Sequence, residues 1–353
     1  MKFDAITVFL NRACPRGCPQ CGISDGSKKA LSVNDWKKAL GIVRHTFDTK
    51  FFLFLGTEPL MFKEGLADLV GWLNSENLFY GFYSTSPEPL FSKYRQALID
   101  AGLKNWSAGI DGLPGMSMNP VTEKKVRESL AGLQWMGERG VQTYTLTTVH
   151  KQNLHQIVDI VDWCHNNIPN VQSSLNFIEW SRSPEFDFFS PKEQMIDLCW
   201  DDTPQERTQV AEVMRRINIL TRVEGTYIQV PDTYTNEAPY HYTKLDHHCE
   251  GVVGPSIDCD GTMRLCGYST GRLCPQTSVW ELERNSFQTL WEKDLASCPG
   301  CHWIFQDALR VGTRILDPKS GYYEERWVLS KEEWLGLKAM WYWDVVLERT
   351  SIT

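Results

Sequence analysis

Eight residues near the start of the chain, Cys14-Pro15-Arg16-Gly17-Cys18-Pro19-Gln20-Cys21, space three thiols as CxxxCxxC. Three thiolates can hold three irons of a 4Fe-4S cluster, whose usual full set is four cysteines. No further thiol follows until Cys164, so the triad leaves one iron open to an outside ligand. An open iron is a place for chemistry. Cysteine triads also serve tetrahedral zinc, and the residues alone leave that alternative standing. A second group lies far downstream: Cys249, eleven residues, Gly261, four residues, Cys266, then Cys298-Pro299-Gly300-Cys301 after a gap. Four thiols would close the coordination of a second cluster. They would equally make a four-cysteine zinc site with C-x2-C spacing, with His247, His248 and His302 adjacent as substitute ligands.

The elements that must carry these groups alternate through the first 230 residues, the pattern of parallel β/α architecture. Strands are expected over Phe3 to Leu10, Phe51 to Leu55, Leu78 to Tyr83, Asn105 to Ile110, Gln142 to Val149 and Ser173 to Glu179. Ser32 and Asp35 make a capping box before Trp36, Leu40, Val43 and Phe47, an apolar face at helical spacing. Thr203-Pro204-Gln205-Glu206 combines a cap, proline at the first helical position and glutamate at the third; it opens a helix through about residue 218. Asp260-Gly261 is a hairpin signal, and Val279 to Leu290 has helical character. Ser330 with Glu333 caps a terminal helix over residues 331–347, whose Trp334, Leu337, Met340, Trp341 and Val345 dock it on the body of the protein. Between Glu179 and Leu245 the chain is polar and irregular outside its one helix, with Tyr227, Tyr234, Tyr240 and Tyr242 over the site or on a surface connection.

The N-terminal triad resembles the radical S-adenosylmethionine (SAM) superfamily, where CxxxCxxC sits in the loop after the first strand of a partial β/α barrel. The resemblance implies that SAM chelates the unique iron through its amino and carboxylate groups. One electron then cleaves the sulfonium to a 5'-deoxyadenosyl radical that abstracts hydrogen. One departure is Gln20, where the family usually has an aromatic residue, so adenine packing must come partly from elsewhere. The six strand and helix repeats fit a partial (β/α)6 TIM-like barrel, whose active site forms at the carboxyl ends of the strands. There Gly56-Thr57-Glu58-Pro59 looks like the family's GGEP segment, which binds the SAM amino group, with Thr57 in place of the second glycine. Ser84 and Asp111 resemble its contacts to the SAM carboxylate and ribose. Each of these is also an ordinary turn or helix-start residue. Thr147, Thr148, Asn176 and Glu179 face the same mouth as candidates for substrate contact. Cys249, Cys266, Cys298 and Cys301 resemble the twitch domain, a shortened SPASM domain with one auxiliary 4Fe-4S cluster. Cys259 and Cys274 are extra thiols there, replacement ligands or small buried hydrophobes, and Cys274 is the candidate hydrogen-atom donor. Cys164 and Cys199 are read as core.

Three parts are therefore expected: a barrel over residues 1–240, a small iron-sulfur domain over 241–310, and a C-terminal extension with a docking helix over 311–353. The 353 residues, 42% of them apolar, suffice for a barrel plus an addition. A net charge of -8 argues against a nucleic-acid partner, which needs phosphate neutralisation. Eleven cysteines without a signal-peptide pattern or a bilayer-spanning apolar run point to a reducing cytoplasm and metal-bound thiols. The resemblance implies a flavoprotein or ferredoxin as reductant. The chain starts directly at the first strand, with no preceding winged peptide-recognition domain. That tilts the expected substrate toward a small metabolite (a sugar, nucleoside or natural-product intermediate) undergoing oxidation or epimerisation. Maturation of a ribosomal peptide is the alternative. A zinc-stabilised binding protein without catalysis is the other, although it leaves the Gly56 to Pro59 segment as coincidence.

Overall fold

The computed structural model describes residues 5–18, 21, 29–55, 57–116, 120–178, 196–200, 203–223, 228–229, 255–264, 276–282 and 289. Strands and helices alternate: β1 (Ala5–Val8), α1 (Val33–Phe47), β2 (Phe51–Phe54), α2 (Glu64–Ser75), β3 (Phe79–Phe82), α3 (Leu90–Asp100), β4 (Asn105–Gly109), α4 (Pro120–Gly137), β5 (Gln142–Val149), α5 (Ile157–Asn167), β6 (Val171–Phe177), α6 (Pro204–Val223) and β7 (Ile228–Gln229). Pairing of β1 with β2, β2 with β3, β4 with β5, β5 with β6 and β6 with β7 is parallel throughout. A bridge between Tyr83 and Ser107 joins the two sets of strands. The fold is α/β with parallel sheets, consistent with the expected partial barrel.

Local sequence explains the elements. Strand β2, Phe-Phe-Leu-Phe, is buried at every position, as a parallel strand covered on both faces must be. Helix α1 buries Trp36, Ala39, Leu40, Val43 and Phe47, a single stripe at helical spacing, and the Ser32 hydroxyl accepts the Asp35 N–H at its start. At the head of α6, Thr203 N–H donates to Glu206 Oε2 while Glu206 N–H donates to the Thr203 hydroxyl, each at 3.2 Å. This is the reciprocal capping expected from the sequence. The helix runs to Val223, about one turn beyond the expected end.

The C-terminal hairpin consists of β8 (Ser256–Ile257) and β9 (Thr262–Arg264), turned by Asp260 and by Gly261 at φ +84 and followed by β10 (Gln276–Ser278). A positive φ there suits the residue without a Cβ. Strand β8 pairs in parallel with β1, the first strand of the chain, so one sheet runs β10-β9-β8-β1-β2-β3. The hairpin thereby covers what would otherwise be an exposed edge of β1. The helical character expected from Val279 is realised as a 3-10 turn over Val279–Glu281. The docking helix of residues 331–347 lies outside the described residues. Among those residues no helix is long and apolar enough to cross a membrane.

Candidate active site at the carboxyl ends of the strands

The segments leaving β1 to β5 converge on one end of the sheet. Asn11 to Cys18 follow β1, Thr57 and Glu58 follow β2, Ser84 to Ser86 follow β3, Asp111 follows β4, and Thr148 to Asn153 close β5. In parallel architectures this is the end that carries function.

The cysteine loop is anchored where it leaves the sheet. Asn11 uses both ends of its amide: Nδ2 donates to the Glu58 carbonyl at 3.1 Å and Oδ1 accepts the Ala13 N–H at 2.8 Å. The Glu58 N–H in turn donates to the Ala13 carbonyl at 3.3 Å. Next to it, the Arg12 guanidinium engages both oxygens of Asp258, from β8's end of the hairpin. Inside the loop, Arg16 spans the site: Nε donates to the Thr85 hydroxyl at 3.0 Å, and the guanidinium reaches the Thr85 carbonyl and the Glu128 carboxylate on α4.

Cys14 and Cys18 are half-buried and Cys21 is exposed. Burial pushes the Cys14 thiol up to about 11, against the Arg16 backbone N–H. Burial also raises Cys18, with the Lys125 ammonium pulling the other way. Thiols held this way ionise at neutral pH when a metal displaces the proton, so the donor set fits a metal-bound group. Among the described residues no three His, Cys, Asp or Glu side chains converge where one ion could sit. Thiols that each hold a different iron of a cluster need not converge on one point.

Glu58 is 1% exposed, and its carboxylate is saturated. Oε1 accepts Leu60 N–H at 3.1 Å and the Ser84 hydroxyl at 2.7 Å, and Oε2 accepts Thr85 N–H at 2.9 Å and the Thr85 hydroxyl at 3.0 Å. A carboxylate offers about four acceptor positions, and four donors occupy them. Burial raises the carboxyl's pKa, and these donors oppose it. Glu58 therefore acts as a helix-start cap for the 3-10 turn Pro59–Phe62 and as the knot between the β2 and β3 loops. Ser84 continues that knot: its hydroxyl accepts Ser86 N–H at 2.9 Å, and the Ser86 hydroxyl accepts Trp106 Nε1–H at 3.1 Å.

Asp111 sits 6% exposed in an ion pair with Lys125 of α4, and its second oxygen accepts Thr148 N–H at 3.0 Å. Burial pushes the Asp111 carboxyl up, yet Lys125 and the Thr148 N–H outweigh it and hold it below the usual range. Asn153 completes the floor, donating to the Asp111 and Thr148 carbonyls at 3.1 and 2.8 Å and accepting His150 N–H at 2.8 Å. His150 is 2% exposed, and burial lowers its imidazole to about 4.

The sequence-predicted Cys14, Cys18, Cys21, Thr57, Glu58, Ser84 and Asp111 thus all lie on the loops at one end of the sheet. Gly56 lies outside the described residues, as do Cys249, Cys266, Cys274, Cys298, Cys301 and Glu179. Cys259 is described and fully buried, as are Cys164 and Cys199. Sequence reading missed Asn11, Arg12, Arg16, Lys125 and Asn153. On α4 a signal existed: Lys125 and Ser129 stand four residues apart, polar side chains on the buried face of the helix.

Residues 8–164 match the family model of the radical SAM superfamily. The PqqA peptide cyclase of Bradyrhizobium diazoefficiens is 28% identical over 162 residues, which are 44% of this chain and 42% of that protein. The chain thus spans less than half the length of that curated relative. Among solved structures, Streptococcus suis SuiB bound to S-adenosylmethionine superposes with a TM-score of 0.63 at 12% identity, over 88% of this chain and 74% of that one. SuiB bound to precursor peptide SuiA gives 0.61 at 10%, over 88% and 73%. Native anSMEcpe with bound AdoMet and Cp18Cys peptide gives 0.57 at 10%, over 98% and 97%. At these identities the likeness is one of fold.

Proposed function

From the match of residues 8–164 to the radical SAM superfamily model we propose that this chain is an enzyme that cleaves SAM reductively and abstracts hydrogen from a peptide substrate. Cys14, Cys18 and Cys21 would hold the SAM-binding 4Fe-4S cluster. When bound, that cluster supplies the electron for cleavage of the sulfonium. The protein's own contribution is position. Asn11 and the Ala13 carbonyl lock the cysteine loop to the Glu58 loop, and this juxtaposition is the observation that carries the reading. It brings the thiol loop and the Thr57-Glu58 loop to neighbouring strand ends. Gly56, Thr57 and Glu58 would hold the amino group. Because the Glu58 carboxylate already accepts four donors, it acts chiefly by fixing the backbone around it. Ser84 and Asp111 would line the carboxylate and ribose side, with Lys125 supplying a cation beside Asp111 and Cys18.

A peptide replaces the small metabolite expected from the sequence. One relative and two proteins of similar fold support it: a PqqA peptide cyclase, SuiB bound to its precursor peptide and anSMEcpe with a bound peptide. Cys249, Cys266, Cys298 and Cys301 would hold an auxiliary 4Fe-4S cluster, and Cys274 would donate a hydrogen atom if the product is epimerised. A flavoprotein or ferredoxin would supply electrons.

Anaerobic purification tests this directly. The expected result is a brown protein with about eight irons per chain that releases 5'-deoxyadenosine and methionine from SAM after reduction. The triple variant C14A/C18A/C21A should retain about four irons and lose cleavage. Colourless protein containing zinc, or cleavage retained in the triple variant, overturns the assignment. Incubation with a short peptide encoded beside the gene, read by mass spectrometry, tests the substrate class. A mass change in a sugar or nucleoside and none in the peptide restores the metabolite reading.

A further inference from the structure

We infer that Asp258, in the C-terminal hairpin, is a positioning residue for the N-terminal cysteine loop and acts through Arg12, resting on the assignment of Cys14, Cys18 and Cys21 as cluster ligands. The two residues are 246 apart in the chain, and both are buried, Arg12 at 5% exposure and Asp258 at 0%. Arg12 Nε donates to Asp258 Oδ1 at 2.8 Å and its Nη2 to Oδ2 at 2.7 Å, the two-pronged geometry that fixes a guanidinium in orientation as well as distance. The Arg12 guanidinium also lies over the Phe9 ring at 5.4 Å.

Asp258 is itself held from behind. Arg264 donates to Oδ2 at 2.9 Å, and the Cys259 N–H donates to Oδ1 at 2.8 Å. The hairpin that carries it is joined to β1 by Thr7 N–H to the Pro255 carbonyl at 3.1 Å and by Phe9 N–H to the Ile257 carbonyl at 2.9 Å. The carboxylate is therefore a fixed point, and Arg12 is the side chain that it fixes.

What Arg12 transmits follows from its neighbours. Asn11 and Ala13, on either side, make the hydrogen bonds to the Glu58 backbone, and Cys14 comes next. Three consecutive residues thus tie the entry to the cysteine loop to two different segments: Asn11 and Ala13 to the β2 loop, and Arg12 to the hairpin. Release of Arg12 frees the middle of this junction, so both the Cys14 backbone and the Glu58 carbonyl lose their fixed placement. A buried arginine deprived of its carboxylate must also seek water, which drives the segment away from the sheet. The hairpin is, on this reading, a working part of the SAM site and more than an appendage that houses other cysteines. Arg264 differs, because it braces the carboxylate from the hairpin side.

The test uses the full chain with R12M, D258N and R264M, and R12K as the variant that keeps the charge but cannot grip both oxygens. Hydrogen exchange of residues 11–18 is measured in each, together with the SAM dissociation constant and the SAM-induced change in the electron paramagnetic resonance spectrum of the reduced cluster. R12M and D258N should speed exchange in 11–18 at least tenfold, weaken SAM at least tenfold and diminish the spectral change. R264M, which leaves Arg12 and the Cys259 N–H on Asp258, should change each of the three by clearly less than R12M does. If R12M fails to fold, R12K carries the same comparison, with exchange raised in 11–18 above that of α1. Unchanged exchange of 11–18 in both Arg12 variants overturns the inference, and so does an R264M effect as large as that of R12M. Should the parent protein lack a SAM-responsive cluster, the proposed function falls, and the exchange comparison still decides the role of Asp258.

Discussion

Thr85 donates twice to a single oxygen of Glu58, through its backbone N–H at 2.9 Å and its hydroxyl at 3.0 Å. With Leu60 N–H and the Ser84 hydroxyl on the other oxygen, a buried carboxylate is satisfied wholly from within the protein. An amide in its place offers one acceptor oxygen and turns an NH2 group toward donors. E58Q should therefore lose about 2–4 kcal/mol of stability and most of its SAM affinity, whereas T85V, which keeps the backbone donor, should lose about 1 kcal/mol. Chemical denaturation with calorimetric SAM titration measures both. Parent-like stability in E58Q would show that the four donors are not what holds the loops together.

Lys125 and Asp111 are a buried pair, and removing one partner strands the other. K125M should cost about 3–5 kcal/mol. The double variant K125M/D111N should recover part of that loss, because no uncompensated charge is left. A double variant as unstable as the sum of the two single ones would show that the pair is not coupled.

His150 is neutral when folded, with a pKa lowered by burial to about 4, against an ordinary value near 6.5. Asp111 raises it and Lys125 lowers it further. Between those two values the unfolded chain binds the extra proton, so stability rises with pH across the window and falls as the pH drops toward 4. The slope should amount to about 3 kcal/mol over the window and be absent in H150Q. Urea midpoints at several pH values, parent against variant, check it. Parallel curves would mean that the imidazole is protonated in the folded state as readily as in the unfolded one.

Gly132 of α4 passes so close to Ser86 that a Cβ would meet the Ser86 hydroxyl and Cβ. Ser86 is held there at φ +46 by neighbours on both sides, including Trp106 Nε1–H to its hydroxyl. G132A should cost about 1–3 kcal/mol. G132A/S86G should regain part of it, since glycine is at ease at that φ. Melting curves distinguish these outcomes, and an unshifted G132A melt would mean that α4 moves aside freely.

Thiol reactivity should follow exposure. In the metal-free chain Cys21, which is exposed, should alkylate quickly. Cys164 is fully buried, with its thiol pushed up to about 12, and should not react until the chain unfolds. Cluster loading should then protect Cys21. Unchanged labelling of Cys21 after loading would remove it from the ligand set.

Much of the fold was legible because its determinants are local. The six strands and the starts of α1 and α6 follow from alternation, apolar stripes and caps, each written within a dozen residues. The Asp260-Gly261 turn was legible for the same reason: its positive φ needs glycine at that position. The pairing of β8 with β1 was not, since a two-residue strand carries no mark of which edge it will join.

The candidate site divides in the same way. Spacing nominated Cys14, Cys18 and Cys21 as a candidate ligand group, and resemblance to a family segment nominated Glu58 in the neighbouring loop, because both signals are written in residues close in sequence. What those residues touch was decided elsewhere. The four donors that fill the Glu58 carboxylate, the lysine that holds Asp111 ionised and the aspartate that grips Arg12 from 246 residues away come from distant segments. Only packing of the sheet brings such charges out of water and together, and burial is what gives each contact its strength. The chain's chemistry was thus set by short-range spacing, and the placement of that chemistry by long-range burial.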